Sequence, residues 1–148
     1  MRITVKRNKE RLYPDSKRVI TRLFNHGEMK TKSIVQKVLD LSEAEASNSL
    51  NVVLREFAKR HRNITKIFFN NYTKVIHYVN EVTGSQRKLS STKRLLIGSY
   101  FTMEYSIESA ALFNPSVVEH PDQNDLEEGQ KRVLISFRAT GESHISSI

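Results

Sequence analysis

Apolar residues recur along this chain with two different periods, and the change of period divides it. Between Thr31 and Val82 they return every three or four positions, the repeat of a helix with one buried face. Ile34, Val35, Val38 and Leu39 predict a first helix from about Thr31 to Leu41. Ser42 and Glu45 then stand in the Ser-x-x-Glu pattern, in which the hydroxyl takes the third amide and the carboxylate reaches back to the first. Ala46, Leu50, Val53, Leu54, Phe57 and Ala58 predict the buried face of that second helix. Asn63 is placed to end it and to cap a third, whose stripe is Ile64, Ile67, Phe68, Tyr72, Val75, Ile76 and Val79 and which stops before Thr83-Gly84-Ser85. The packing expected is an antiparallel pair joined near Asn63, covered by the first helix.

Outside this region the pattern is shorter. Ile3 and Val5 alternate, Pro14-Asp15 interrupts, Arg18 to Phe24 reads as extended, and Asn25-His26-Gly27 marks a turn. After the third helix comes the polar stretch GSQRKLSS, where Ser90 or Ser91 can cap a fourth helix. Its apolar residues, Leu95, Leu96, Ile97, Tyr100 and Phe101, surround it, so it is expected to be buried on several sides. Further on, Pro115 biases Asn114 towards an extended backbone and keeps it out of a helix. Val133 to Phe137 reads as a buried strand, with Arg138 following it. The class predicted is α+β. A basic extended arm spans 1–28, a region of three helices 29–84, a linker and buried helix 85–105, and a strand region 106–148.

Charge changes this picture at one end. Residues 1–37 hold eleven Lys or Arg against three acids, a surplus equal to the whole-chain net charge of +8. A basic arm is a footprint of nucleic-acid binding, but this one interleaves only Tyr13 and Phe24 with its charges, fewer aromatics than stacking on bases requires. A solvated arm lying on an acidic surface of the same protein or of a neighbouring subunit is the reading preferred. The chain has no cysteine, which removes disulfides and thiolate metal sites and fits a reducing, cytoplasmic setting. No run of about 18 apolar residues exists to span a membrane, and the basic N-terminus has no apolar core behind it to act as a secretory signal.

Candidate chemistry gathers near the C-terminus. Asn114, Ser116, His120, Asp122, Gln123, Arg138, Glu142 and His144 are interleaved there with apolar residues. An arginine beside a buried strand needs an anion or a salt bridge, and Glu142 is near enough in sequence to supply the latter. Tyr100, Phe101, Tyr105 and Phe113 are either core or platforms for sugar rings. Arg18 and Arg22 share a face if their segment is a strand, and can reach an anion or simply be solvated. His120 and Asp122 lack a third metal ligand, and His61 and His77 have no ligand-like partners, so no metal and no cofactor is expected. Lys59-Arg60-His61-Arg62 is explained by the negative end of a helix dipole.

The strings AALFNPSVVEHPDQ and VLISFRATGESHISSI resemble the N-terminal propeller segment of glycoside hydrolase family 130, whose members cleave β-mannosides, chiefly β-1,2-linked, with phosphate or with water. The resemblance extends upstream through LLIGSYFTMEYSIESAALFNPS and FAKRHRN to YPDSKRVITRLF, and is to the longer members that carry a helical region first. Ser143 departs from it, since a glycine is the residue expected between Glu142 and His144. The resemblance implies a five-bladed β-propeller of which residues 106–148 supply at most one blade and part of another, so that the chain is the front of a longer enzyme. It implies that Asn114 and Arg138 line the subsite for the mannosyl unit and its attacking group, with Ser116, Glu142 and His144 as neighbouring substrate contacts. The general acid would be an aspartate acting through a sugar hydroxyl and lying beyond Ile148, because Asp122 and Asp125 fall in a loop between the motifs. Phosphorolysis giving mannose 1-phosphate is the leading expectation, with inorganic phosphate as co-substrate, a β-mannoside oligosaccharide as substrate and homo-oligomer contacts through the helices. Hydrolysis is the alternative, and a basic helical module binding nucleic acid or a subunit is the reading from another class.

Overall fold

The computed structural model describes residues 9–84 and 88–147, so the expected strand at Ile3 and Val5 lies outside the described residues. The chain is α+β. Its elements run β1 (Val19–Leu23), α1 (Glu28–Asp40), α2 (Glu43–Ala58), α3 (Ile64–Thr83), α4 (Ser91–Tyr100), β2 (Thr102–Ser106), β3 (Ala111–Glu119), β4 (Val133–Thr140), a 3-10 turn (Glu142–His144) and β5 (Ser146–Ser147). β1 pairs with β2, and a second sheet has the order β3-β4-β5. Two compact units result: Ile20–Tyr105, and the segment up to Val19 together with that from Ser106.

In the first unit, local signals set where helices begin. Gly27, with φ 78°, precedes α1 and its carbonyl accepts the Thr31 amide, so the helix starts earlier than the apolar stripe alone predicts. Ser42 and Glu45 make the reciprocal cap, with the Glu45 amide on Ser42 Oγ at 3.2 Å and the Ser42 amide on Glu45 Oε2 at 2.8 Å. Asn63 turns the chain at φ 56° and does not cap α3 with its side chain; its carbonyl accepts the Lys66 amide instead. Ser90 caps α4 by accepting the Lys93 amide.

The helices pack around α4. Leu96, Ile97 and Phe101 are fully enclosed, as are Phe68 of α3 and Val35 and Val38 of α1. Removing each such side chain from water contributes about 1.5–3 kcal/mol. The antiparallel α2–α3 pair expected from the sequence gives way to another arrangement: α4 packs on α1, α2 and α3, and α2 meets α3 only lightly. The cause is Gly98. A Cβ there would lie 1.9 Å from the Phe68 carbonyl oxygen, so α4 crosses α3 backbone to backbone where a larger residue would hold it off. The stripes shift accordingly: Ile76 is 40% exposed and Tyr100 50%, Ala58 is exposed, and Asn71 is buried in their stead.

Asn71, Thr102 and Lys93, all buried near the crossing, find hydrogen-bond partners. The Asn71 amide donates to Thr102 Oγ1 at 2.8 Å, and that hydroxyl donates to the Gly98 carbonyl at 2.9 Å. Lys93, 7% exposed, sends its ammonium to the carbonyls of Leu39 at 3.0 Å and Leu41 at 2.6 Å. It thereby closes the C-terminal end of α1, where carbonyls lack helix partners and a positive charge is favoured.

The strand β2 falls in a stretch expected to be only linker and helix, and it supplies Glu104. That carboxylate takes two hydrogen bonds from the Arg60 guanidinium, both 2.8 Å, and one from His61 Nε2 at 2.7 Å. Arg60 and His61, just after α2, are thus held by a specific acid from β2. The Arg60 hydrogen bond is the main cause holding the Glu104 carboxyl below its ordinary 4.5, with His61 assisting and partial burial opposing.

Gly98→Ala is expected to destabilise the chain by about 1–3 kcal/mol in urea unfolding, through forced separation of α3 and α4. Because the folded Glu104 value is depressed, its pairing contributes fully above about pH 4.5 and is lost as pH falls through the lowered value. Glu104→Gln is expected to flatten the acid side of a stability–pH curve, and an unchanged slope would show that the pairing contributes nothing.

Candidate functional site

The second unit is built on an antiparallel pair. Ala111 to Phe113 face Thr140 to Arg138, and Ser116 to Glu119 face Ser136 to Val133, with an irregularity between Phe113 and Ser116. Two residues of β3, Asn114 and Pro115, therefore stand opposite the single Phe137 of β4, which is a β-bulge. Asn114 has φ 47°, in the left-handed region, rather than the extended backbone that a following proline favours. The bulge imposes that geometry, and asparagine tolerates it better than most residues. Pro115 lacks an amide donor and is tolerated because bulges and edge strands leave donors unused.

Side chains alternate along the pair, so register assigns faces. Phe113, Ser116, Ser136, Arg138 and Thr140 share one face, and Leu112, Val117, Ile135 and Ala139 the other. Ser146 of β5 pairs with Thr140 and so lies on the Arg138 face, where its hydroxyl accepts from Arg138 Nε at 3.0 Å. Arg138 lies within β4 rather than after it, and it is exposed. The strand around it is not buried as its apolar run suggests: Val133, Leu134 and Ile135 are 44%, 48% and 50% exposed. Apolar side chains on both faces of the pair look the same in sequence whether or not another layer covers them.

The structure brings Ser116 and Arg138 onto one face and sets Asn114 on the bulge beside them, where the alternation breaks. Among the described residues the Asn114 side-chain amide is unengaged. Glu142 opens the 3-10 turn and is exposed. His144 closes that turn, and its side chain lies outside the described residues. Ser143 has φ 56°, the left-handed region in which glycine is unstrained. The departure from glycine is small in volume but not in backbone energy.

His120, Asp122 and Gln123 are used by the loop between β3 and β4. The Asp122 amide donates to His120 Nδ1, and Gln123 bridges the strand ends by accepting the Arg132 amide and donating to the Arg132 carbonyl. Arg132 pairs with the Asp122 carboxylate at 3.2 Å. Sequence reasoning missed Ser136 and Ser146, although the alternation Ser136, Arg138, Thr140 was available to indicate one polar face. It also missed Glu108, which is buried, accepts the Asp15 amide and pairs with Arg18, tying the arm to the approach of β3. Arg22 lies over the Tyr105 ring, 5.0 Å from its centroid. Of the four candidate aromatics, Phe101 and Tyr105 are core, whereas Tyr100 and Phe113 are about half exposed.

Among the described residues no group of three or more His, Asp or Glu is placed to hold a metal ion, and no helix is long and apolar enough to cross a membrane. Compared with protein families, curated proteins and solved structures, the chain matches none.

Ser143→Gly is expected to stabilise the turn by about 0.5–1 kcal/mol, the left-handed strain relieved less the added freedom of the unfolded chain. Slower hydrogen exchange at Gly141 and Ile145, whose amides close that turn, is the readout.

Proposed function

We propose that the strand unit carries the face of a β-mannoside-cleaving enzyme that binds the mannosyl unit and its attacking phosphate, giving mannose 1-phosphate. The observation that carries this reading is the setting of Arg138. Its guanidinium is exposed and steadied at Nε by Ser146 Oγ, and among the described residues its two terminal nitrogens have no partner. A planar fork with both ends available suits two oxygens of one phosphate, and a phosphate nucleophile needs no separate base. Ser116 and Ser136 stand on the same face as hydroxyl partners, and the Asn114 amide next to them offers both a donor and an acceptor to a sugar hydroxyl.

The motif strings around Asn114 and Arg138 support the same assignment. In this reading the β3-β4-β5 sheet is part of one blade of a five-bladed propeller, whose blades have about four strands each. The exposed valines, leucine and isoleucine of the hairpin are then surface that adjoining strands cover. Glu142 and His144 are neighbouring contacts, and the general acid is an aspartate outside residues 106–148. The helices carry a subunit contact in a homo-oligomer. Nucleic-acid binding is less well supported, since Arg60 and His61 are already engaged by Glu104.

Mannose 1-phosphate titrated into the 148-residue chain is expected to shift amide signals around 113–116 and 136–138, and Arg138→Met to weaken that binding about tenfold or more. Binding that ignores Arg138→Met overturns the assignment. The chain by itself is expected to release no mannose 1-phosphate from β-1,2-mannobiose and phosphate. Turnover would place an acid within it, and mannose released equally without phosphate would indicate hydrolysis.

A further inference from the structure

Charge along this chain is sorted by segment. Residues 20–105 carry fourteen Lys or Arg against seven acids, a balance of +7, whereas residues 106–148 carry three against seven, a balance of −4. Much of the acidic surplus sits at the tip of the β3–β4 hairpin. Glu119 and Asp122, near the strand ends, pair with Lys131 and Arg132. Asp125, Glu127 and Glu128 are exposed and have no cation partner among the described residues, and a half-buried Leu126 stands between them. The turn that presents them is closed by the Gln130 amide on the Glu127 carbonyl at 3.0 Å and the Glu127 amide on Gln130 Oε1 at 3.2 Å. An acidic tip around a leucine is thus held ready in one shape, which lowers the ordering cost of any contact it makes.

The basic helical unit offers the converse surface. Near the Phe68–Gly98 crossing, α3 and α4 leave a cleft of about 360 Å3 between Thr65, Lys66 and Phe69 on one side and Ser91, Arg94 and Leu95 on the other. Its exposed lining is almost entirely carbon, with Phe69 43% exposed. The Arg94 Nε has no accessible surface and no hydrogen bond, so it offers nothing to a visitor. The exposed cations of α3, Lys66 and Lys74, have no acid partner among the described residues, and neither helix has an acidic residue in its first turn. This face is therefore apolar at its centre and positive around it.

We propose that the cleft receives Leu126 from a second copy of this chain, with the acids of that copy's loop lying over the positive face of α3 and α4. Burial of a leucine against Phe69 and Leu95 supplies the attraction, and the opposed charges steer the approach. The contact joins two different surfaces, so it is heterologous: a pair keeps one loop and one cleft free for further copies. A loop in a cleft buries less area than a stable interface, so the association is weak, with Kd on the order of 0.1 mM. The inference rests on the reading that the helices carry a subunit contact, and not on mannoside cleavage.

Sedimentation of the 148-residue chain over a concentration series is expected to show reversible growth beyond the monomer, weakened by added salt. The same series is expected to move amide signals at 65–69, 91–95 and 125–128. Leu126→Ser and Phe69→Ser are each expected to weaken self-association about tenfold or more. Mixed, these two variants are expected to form a 1:1 pair and nothing larger, since one keeps the cleft and the other keeps the loop. Glu128→Lys reverses an exposed charge and is expected to weaken association as well, which tests the loop even where Phe69→Ser does not fold. Growth that survives Leu126→Ser and Glu128→Lys while signals of α3 and α4 still move would overturn the part given to the loop and leave the helical subunit contact standing. A chain that stays monomeric at millimolar concentration would overturn both. Failure of the mixed variants to pair, or loop and cleft signals coupled at every dilution as in a contact within one chain, would overturn the exchange between copies.

Discussion

The helical unit depends on one close crossing, that of Gly98 over the Phe68 carbonyl. Helix α4 can sit between the other three only because its backbone comes this near to α3. From there Leu96 and Ile97 enter the core, Lys93 reaches the end of α1, and Thr102 meets Asn71. The crossing also fixes where α4 hands the chain to β2, and so where Glu104 meets Arg60 after α2. A separation of even an ångström would be felt at all of these points, because close-packed interiors transmit strain rather than absorb it.

Features set by neighbours in sequence were legible before the structure. The Ser42–Glu45 cap, the three stripes and the α+β class are of this kind, since periodicity and capping act within one or two turns. Features set by distant partners were not. Nothing around Gly98 announces that α4 displaces the expected α2–α3 pairing, because a lone glycine in a helical stretch reads as a weak spot rather than a contact point. The β2 strand Thr102–Ser106 hid behind the aromatics that end α4, and the pairing of Glu104 with Arg60 joins residues 44 positions apart.

The candidate site is mixed in the same way. The register puts Ser116 and Arg138 on one face, a relation that strand periodicity could have supplied, and it adds Ser136 and Ser146. The positive φ of Asn114 runs against what its proline neighbour favours, because an inserted residue outweighs a dipeptide preference. Arg138 and Arg94 show opposite solutions for a guanidinium. The first is exposed and steadied by a serine, while the second is partly enclosed, its Nε without a hydrogen bond among the described residues. Sequence alone drew attention to the first, since Arg94 falls in an ordinary polar turn of a helix.

The enclosure of Lys93 has a practical consequence. Acylating reagents attack a neutral amine that has room around it, and this amine is covered and holds two carbonyls at the end of α1. Its acylation must wait for α1 to lift from α4, whereas lysines on the outside react at once. The lag between them is an internal clock for local opening of the bundle, one that can be followed by mass spectrometry through the mass of each acyl group added.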